Sequence, residues 1–255
     1  MTAQRSVLVT GGAKRIGAAI TRRLAREGWR VVVHYLHDAE QADQHARALG
    51  GGAVALGADL SDPAAAEALP SRAAALAGGR LDALVNNAST FAFNKATTFM
   101  VDDWRRDETV NLLSPILLAR AFAAGLPQSA SGAVVNLLDQ KIWNLNADFF
   151  TYTMSKIGLE GATRLLARAL APAVRVNAVA PGLTLPSGRQ TQEDFAAVAG
   201  KYNLMRRPID IEAIAGAVSF LLSNDAVTGQ TIIVDNGQHM VASDHDVMFR
   251  TRGHS

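Results

Sequence analysis

A tyrosine and a lysine four residues apart, Tyr152 and Lys156, open a segment of helical character. That spacing puts both side chains on one helical face. The ammonium then stabilises a developing phenolate and lowers the tyrosine pKa, so that Tyr152 can donate a proton as a hydride arrives. Asn111 and Pro115 add a second pair in another helical stretch. A proline there has no N–H to give to the carbonyl of Asn111. That oxygen is left to hold a water or to accept from Lys156, or the proline is simply a kink. Other chemistries lack their residues. There are no cysteines, no Gly-x-Ser-x-Gly elbow and no ligand spacing among the six histidines, which excludes thiol catalysis, a hydrolase of that design and a metal centre.

A hydride needs a carrier, and the chain offers a place for one near its start. Thr10-Gly11-Gly12-Ala13-Lys14-Arg15-Ile16-Gly17 follows an apolar run and opens a helix. Glycines in such a turn let the backbone approach a pyrophosphate, and the helix N-terminus supplies amide donors. The bland reading is an ordinary glycine-containing turn. Readers of an NAD ribose place an acid at the end of the second strand. Here that strand ends Val33-His34-Tyr35-Leu36-His37, with no acid before Asp38, which also suits a helix cap. Lys14 and Arg15 stand ready for a 2′-phosphate, with His34 and His37 as possible helpers, so NADPH is favoured over NADH. Asp59-Leu60 either contacts the adenine or caps a helix.

The elements that would hold these groups are an alternation of short apolar runs and longer helical segments. Val7–Val9, Val31–Val33, Ala53–Leu56, Ala83–Val85, Val134–Leu138, Val174–Val179 and Ile232–Val234 read as seven strands covered on both faces, because they are near-continuous rather than alternating. Residues 16–27, 102–124, 154–171 and 210–222 read as helices. The pattern predicts a single α/β domain, a Rossmann-like doubly wound seven-stranded parallel sheet over residues 1–238. Residues 183–205 form a long insertion after the sixth strand, and residues 239–255 a polar tail. A length of 255 residues with 49% hydrophobic residues supports one large core. The net charge of +2 is spread along the chain among acids, which argues against a nucleic-acid surface. Neither a signal peptide nor a membrane span is read, and the expected location is the cytoplasm.

Taken in order, the Thr-Gly-x-x-x-x-x-Gly turn, Asp59-Leu60, Leu84-Val85-Asn86-Asn87-Ala88, Asn111, Tyr152-x-x-x-Lys156, Arg175-Val176-Asn177 and Pro181-Gly182 resemble the short-chain dehydrogenase/reductase family over essentially the whole chain. The resemblance implies a proton relay through Asn111, Tyr152 and Lys156. It also implies cofactor contacts at Gly11, Ile16, Gly17, Tyr35, Asn87, Ala88, Ser89, Pro181, Gly182 and Leu183, besides those above. Three departures narrow it. Arg15 replaces the second glycine of the turn, Asn-Asn-Ala is followed by Ser89-Thr90-Phe91, and the expected serine thirteen residues before Tyr152 is Asp139. These changes, with Tyr152-Thr153-Met154-Ser155-Lys156, look like the pteridine reductase branch, which includes dihydromonapterin and dihydrofolate reductases.

The chemistry of the substitution is coherent. Reducing a C=N bond requires a proton on nitrogen, and a carboxyl beside the tyrosine can supply or relay one if its pKa is raised. An ionised Asp139 has no proton with which to polarise a ketone. Asp139 could also accept from pterin amino and ring N–H groups, while Phe91 stacks on the flat bicycle against the nicotinamide. The alternative makes Phe91 and Phe93 packing residues and Asp139 a structural acid. Ser89, Trp143, Leu185 and Met205 are further candidate substrate contacts, with Leu183, Tyr202 and Leu204 as possible walls or lid residues. The expectation is therefore an NADPH-dependent reductase of a dihydropterin or dihydrofolate. The alternatives are a ketone or quinone reductase using Ser89 or Thr90, or a non-catalytic NADPH-binding regulatory protein. The complete Asn111, Tyr152 and Lys156 set argues against the last. The resemblance also implies a homotetramer, and a tail carrying His239, Arg250 and Arg252 that reaches a neighbour's active site or is disordered. The turn Val234-Asp235-Asn236-Gly237 departs from the family's usual pair of glycines.

Overall fold

The computed structural model describes residues 4–186 and 190–249. Its centre is a sheet of seven parallel strands in the order β3-β2-β1-β4-β5-β6-β7. These are β1 (Ser6–Val9), β2 (Arg30–Tyr35), β3 (Val54–Gly57), β4 (Ala83–Asn86), β5 (Gly132–Leu137), β6 (Val174–Pro181) and β7 (Thr231–Val234). The helices are α1 (Arg15–Arg26), α2 (Ala39–Leu49), α3 (Pro63–Leu76), α4 (Val101–Glu108), α5 (Ser114–Ala124), α6 (Phe150–Ala169), α7 (Gln192–Val198) and α8 (Ile211–Ser223).

The apolar runs of the inner strands are continuous because these strands are buried on both faces. Val7 and Val9 of β1, Val31 and Val33 of β2 and Val85 of β4 meet Ile20 and Leu24 of α1 and Ile214, Val218 and Leu221 of α8. The residues between them, Leu8, Val32, Leu84 and Val134, meet Leu69 of α3 and Leu118 and Phe122 of α5 on the other face. Period-2 side-chain alternation thus feeds both layers. Acids start several helices: Asp38 caps α2, Asp62 caps α3 and Asp210 caps α8 through backbone N–H groups that each side chain accepts.

β2 and β4 pair with opposite edges of β1. The chain therefore reverses its direction of travel across the sheet there, and the crevice outside the carboxyl ends of β1 and β4 is where this architecture places a ligand. The segment expected as one helix over 102–124 is divided. α4 gives way to a wide π-turn, Thr109–Leu113, before α5 begins. The N–H of Ser114 reaches Thr109 O across this turn. The missing N–H of Pro115 then falls in the first turn of a new helix, where it costs nothing.

Candidate active site

A cavity of about 850 Å³ opens along the carboxyl ends of the strands. At one end it is walled by the turn after β1. Gly11 there has φ +59°, a left-handed value, and a Cβ on Gly17 would lie 2.1 Å from Gly11 O. The backbone is drawn together so tightly that only glycines fit. Lys14, at the N-cap of α1, makes no side-chain capping bond, and Arg15 follows at φ 52°. Asn87, after β4, ties the turn down by donating to Thr10 O at 2.9 Å and Gly11 O at 3.0 Å.

His34 lines the cavity as expected, but its ring nitrogens are spent on the protein. It is buried, its Nδ1 accepts from Gly11 N–H at 3.1 Å, and its Nε2 lies 3.0 Å from Ala58 O, so the ring is the neutral tautomer with Nε2 donating. Burial pushes its pKa from 6.5 to about 4. It is a strut beneath the glycine turn and carries no charge for a phosphate. Tyr35 and His37 do not line the cavity; the Tyr35 ring lies against Gly57. Leu36 lines it in their place. Lys14 does line it, and pairs with Asp38 at 3.3 Å. Arg15 donates to Pro186 O at 2.7 Å, bridging the turn to the loop after β6.

At the other end stand the groups that could move a proton. α6 carries Tyr152 and Lys156 on one face, as the spacing requires. Tyr152 Oη donates to Asp139 Oδ2 at 2.9 Å, and Asp139 Oδ1 accepts from Lys141 N–H at 2.8 Å. Burial is the largest influence on Asp139 and raises its pKa above the ordinary carboxylate range. Burial and the adjacent carboxylate together push Tyr152 up, which reverses the expected lowering by Lys156. Lys156 itself is lowered to about 8 by burial. Its ammonium donates to Leu137 O on β5 at 2.8 Å, so the expected contact with the Asn111 carbonyl is replaced by one to a strand.

Asn111 instead uses its side chain. Its Oδ1 accepts from Thr90 N–H at 2.8 Å and Ser89 Oγ at 3.0 Å, and its Nδ2 donates to Ser155 Oγ at 3.1 Å. It thereby ties the loop after β4 to α6. Fully buried Asp107 repeats the tie, accepting from Thr90 Oγ1 and Thr151 Oγ1, each at 2.6 Å. Phe91, at the tip of this loop, stacks on Phe149 with centroids 4.1 Å apart and meets the Tyr152 ring edge-on at 4.7 Å.

Ser89, Phe91, Asp139, Tyr152, Leu183 and Leu185 all line the cavity, whereas Trp143, Tyr202, Leu204 and Met205 do not. Trp143 ends the short turn Gln140–Trp143, and the N–H of Met205 is spent on Asn236 O. Leu204 covers Gly237. Asn236 takes φ 54° where the family has glycine, a value asparagine tolerates, and its side chain donates to Arg207 O and Pro208 O. Residues 187–189 of the insertion after β6, and Arg250 and Arg252, lie outside the described residues.

Sequence reasoning missed what the tail contributes. Residues up to 249 fold back onto their own chain, and Asp246 and Val247 line the cavity. Lys141, buried two residues after Asp139, donates to Asp246 Oδ2 at 3.0 Å and Asn146 Oδ1 at 2.5 Å. A lysine so close to the family's catalytic position was the available signal; its distant partner in the polar tail had none. Among the described residues no cluster of three or more potential metal ligands occurs, and no helix is long and apolar enough to cross a membrane.

Residues 11–239 match the family described as enoyl-(acyl carrier protein) reductase. A crystal structure of FolM alternative dihydrofolate reductase 1 from Brucella suis in complex with NADP is 40% identical, covering 95% of this chain and 98% of that one with a TM-score of 0.90. Pteridine reductase 1 of Leishmania tarentolae is 34% identical over 276 residues, covering 90% of this chain and 94% of its own. The 3beta-hydroxysteroid dehydrogenase 1 of Eggerthella lenta is also 34% identical, over 245 residues, with 91% and 93% covered.

Proposed function

The chain belongs to the short-chain dehydrogenase/reductase family and is an NADPH-dependent reductase, and from that premise we propose that its substrate is a dihydropterin or dihydrofolate, protonated through Asp139, Tyr152 and Lys156. The observation that carries the reading is a carboxyl, not a hydroxyl, hydrogen-bonded to the tyrosine in a buried site.

The glycine cradle fits the cofactor, since Gly17 packs directly on Gly11 O and so brings the bare backbone at the start of α1 to the cavity wall, where a pyrophosphate can approach it. Gly11, Ile16, Gly17, Asn87 and Ala88 would hold the dinucleotide, with Pro181, Gly182 and Leu183 on the nicotinamide side. Lys14, steered by Asp38 to the end of β2, and Arg15 would meet the 2′-phosphate. When bound, NADPH supplies the hydride.

The chain's own residues supply the rest. Phe91 offers a flat surface for the bicycle. Asp139, whose pKa burial raises, would deliver a proton to the ring nitrogen, and Tyr152, which donates to it, would pass on the replacement. Lys156, its pKa lowered to about 8, would feed Tyr152 while Leu137 O fixes its ammonium. Asn111 holds the two halves of the site in register. The same reading includes a cytoplasmic location, which cell fractionation would check, and a homotetramer, which light scattering of the purified chain would check.

The test is Asp139→Ser and Asp139→Asn assayed with dihydrobiopterin, dihydromonapterin, dihydrofolate and simple ketones. Both variants should lose pterin reduction by about 100-fold or more, and Asp139→Ser should gain ketone activity. Pterin turnover undiminished in both variants would overturn the assignment.

A further inference from the structure

The tail brings a second carboxylate to the rim of the site, and nothing in the proton path described above uses it. An ion pair and aromatic packing tie the segment there. Lys141 Nζ donates to Asp246 Oδ2 at 3.0 Å, with side chains only 3% and 19% exposed. Phe249 packs edge-on against Phe93 at 5.0 Å and parallel to Phe149 at 6.0 Å. Both contacts end on segments that carry the proposed chemistry. Lys141 lies in the turn that Asp139 caps, and Phe149 immediately precedes α6, which bears Tyr152. The N–H of Asp246 is fixed in turn on Asp148 Oδ2 at 2.9 Å.

A buried lysine two residues from a carboxyl that must keep its proton is a problem. An uncompensated cation draws that proton off. We infer that the C-terminal segment is a charge-setting latch, in which Asp246 neutralises Lys141 so that Asp139 stays protonated at working pH. The inference rests on the reading of Asp139 as proton donor, and makes Asp246 and Lys141 positioning residues rather than catalytic ones.

The electrostatic surroundings are enumerable. Tyr152 and Lys156 face Asp139 from α6, Asp107 acts on both from α4, and Lys141 adjoins it on its own turn. Asp246 acts on Asp139 and Tyr152 from the tail, with His245 and Asp148 behind it. Of these, the ion pair is the element whose halves push Asp139 in opposite directions, Lys141 lowering its pKa and Asp246 raising it.

That opposition makes the test. Asp246→Asn leaves the cation and should move the alkaline limb of kcat for a dihydropterin down by about one pH unit. Lys141→Met leaves the anion and should move it up by a similar amount. Lys141→Met/Asp246→Asn should return it towards the parent. Limbs that stay put in all three variants, with kcat merely reduced, would overturn the latch as a charge-setting device. A second readout needs no turnover: carboxyl-carbon NMR of the enzyme alone, with Asp139 assigned by its loss in Asp139→Asn. The Asp139 titration should follow the same order of shifts. If the parent reduces no pterin yet the titration shifts as stated, the substrate reading falls and the latch stands. If pterin is reduced but the titration does not shift, the latch falls alone.

Discussion

His34 makes the glycine turn sensitive to acid, and the size of the effect can be worked out. The buried ring accepts from Gly11 N–H and donates to Ala58 O, an arrangement only the neutral form allows. Its pKa falls from 6.5 to about 4. Because the folded value lies below the unfolded one, the unfolded chain binds the proton first. The stability that neutral His34 contributes is complete above about pH 6.5, declines as pH falls and is gone below about pH 4. Between about pH 7 and about pH 5 the linkage amounts to roughly 2 kcal/mol, or roughly 20-fold in the folding equilibrium. Urea unfolding of the parent and of His34→Gln at both pH values isolates it, since the other titrating groups are common to both. The variant should be weaker at neutral pH but should lose about 2 kcal/mol less on acidification. Equal losses in the two proteins would refute the strut. NADPH affinity should follow, because the same proton releases the Gly11 amide.

Gly17→Ala places a Cβ 2.1 Å from Gly11 O, a backbone atom no rotamer can move, so the turn must shift. Losing one charge-assisted amide contact to phosphate should weaken NADPH by roughly 10- to 100-fold, measured by fluorescence titration, while the fold survives. Phe91→Ala removes the surface beside Phe149 and Tyr152 and should raise the pterin KM about 10-fold, leaving NADPH affinity within about 2-fold. Asp107→Ala strands two hydroxyls that now share one buried carboxylate, and thermal unfolding should register a loss of about 2–3 kcal/mol together with a raised pterin KM.

Much of this was legible from residue types because the local requirements are strict. Strands buried on both faces must be continuously apolar, so β1, β2, β4, β5 and β6 could be read within a residue or two of their ends. Tyr152 and Lys156 act at helical spacing, and Asp139 precedes the tyrosine at a fixed interval. Contacts set by tertiary packing were harder. His34 at a strand end looks like a surface cation until Ala58 and Gly11 enclose it. The carbonyl that fixes Lys156 belongs to β5, which neither spacing nor proline chemistry could reveal. Asp246 is distant in sequence from Lys141, in a stretch whose polarity reads as a solvated tail. Trp143 and Met205 were chosen for their chemistry in the right segments, but neither lines the cavity, although Gln140 of the same turn as Trp143 does.

The activity proposed for this cavity is reduction of a C=N bond in a pterin ring. It is tested most directly by incubating the purified chain with NADPH and dihydrobiopterin or dihydrofolate and separating the products. Tetrahydropterin or tetrahydrofolate should form in equal amount to NADP+, at a kcat/KM well above that for any simple ketone. Reduction of ketones with no tetrahydro product would contradict it and return Asp139 to a structural role.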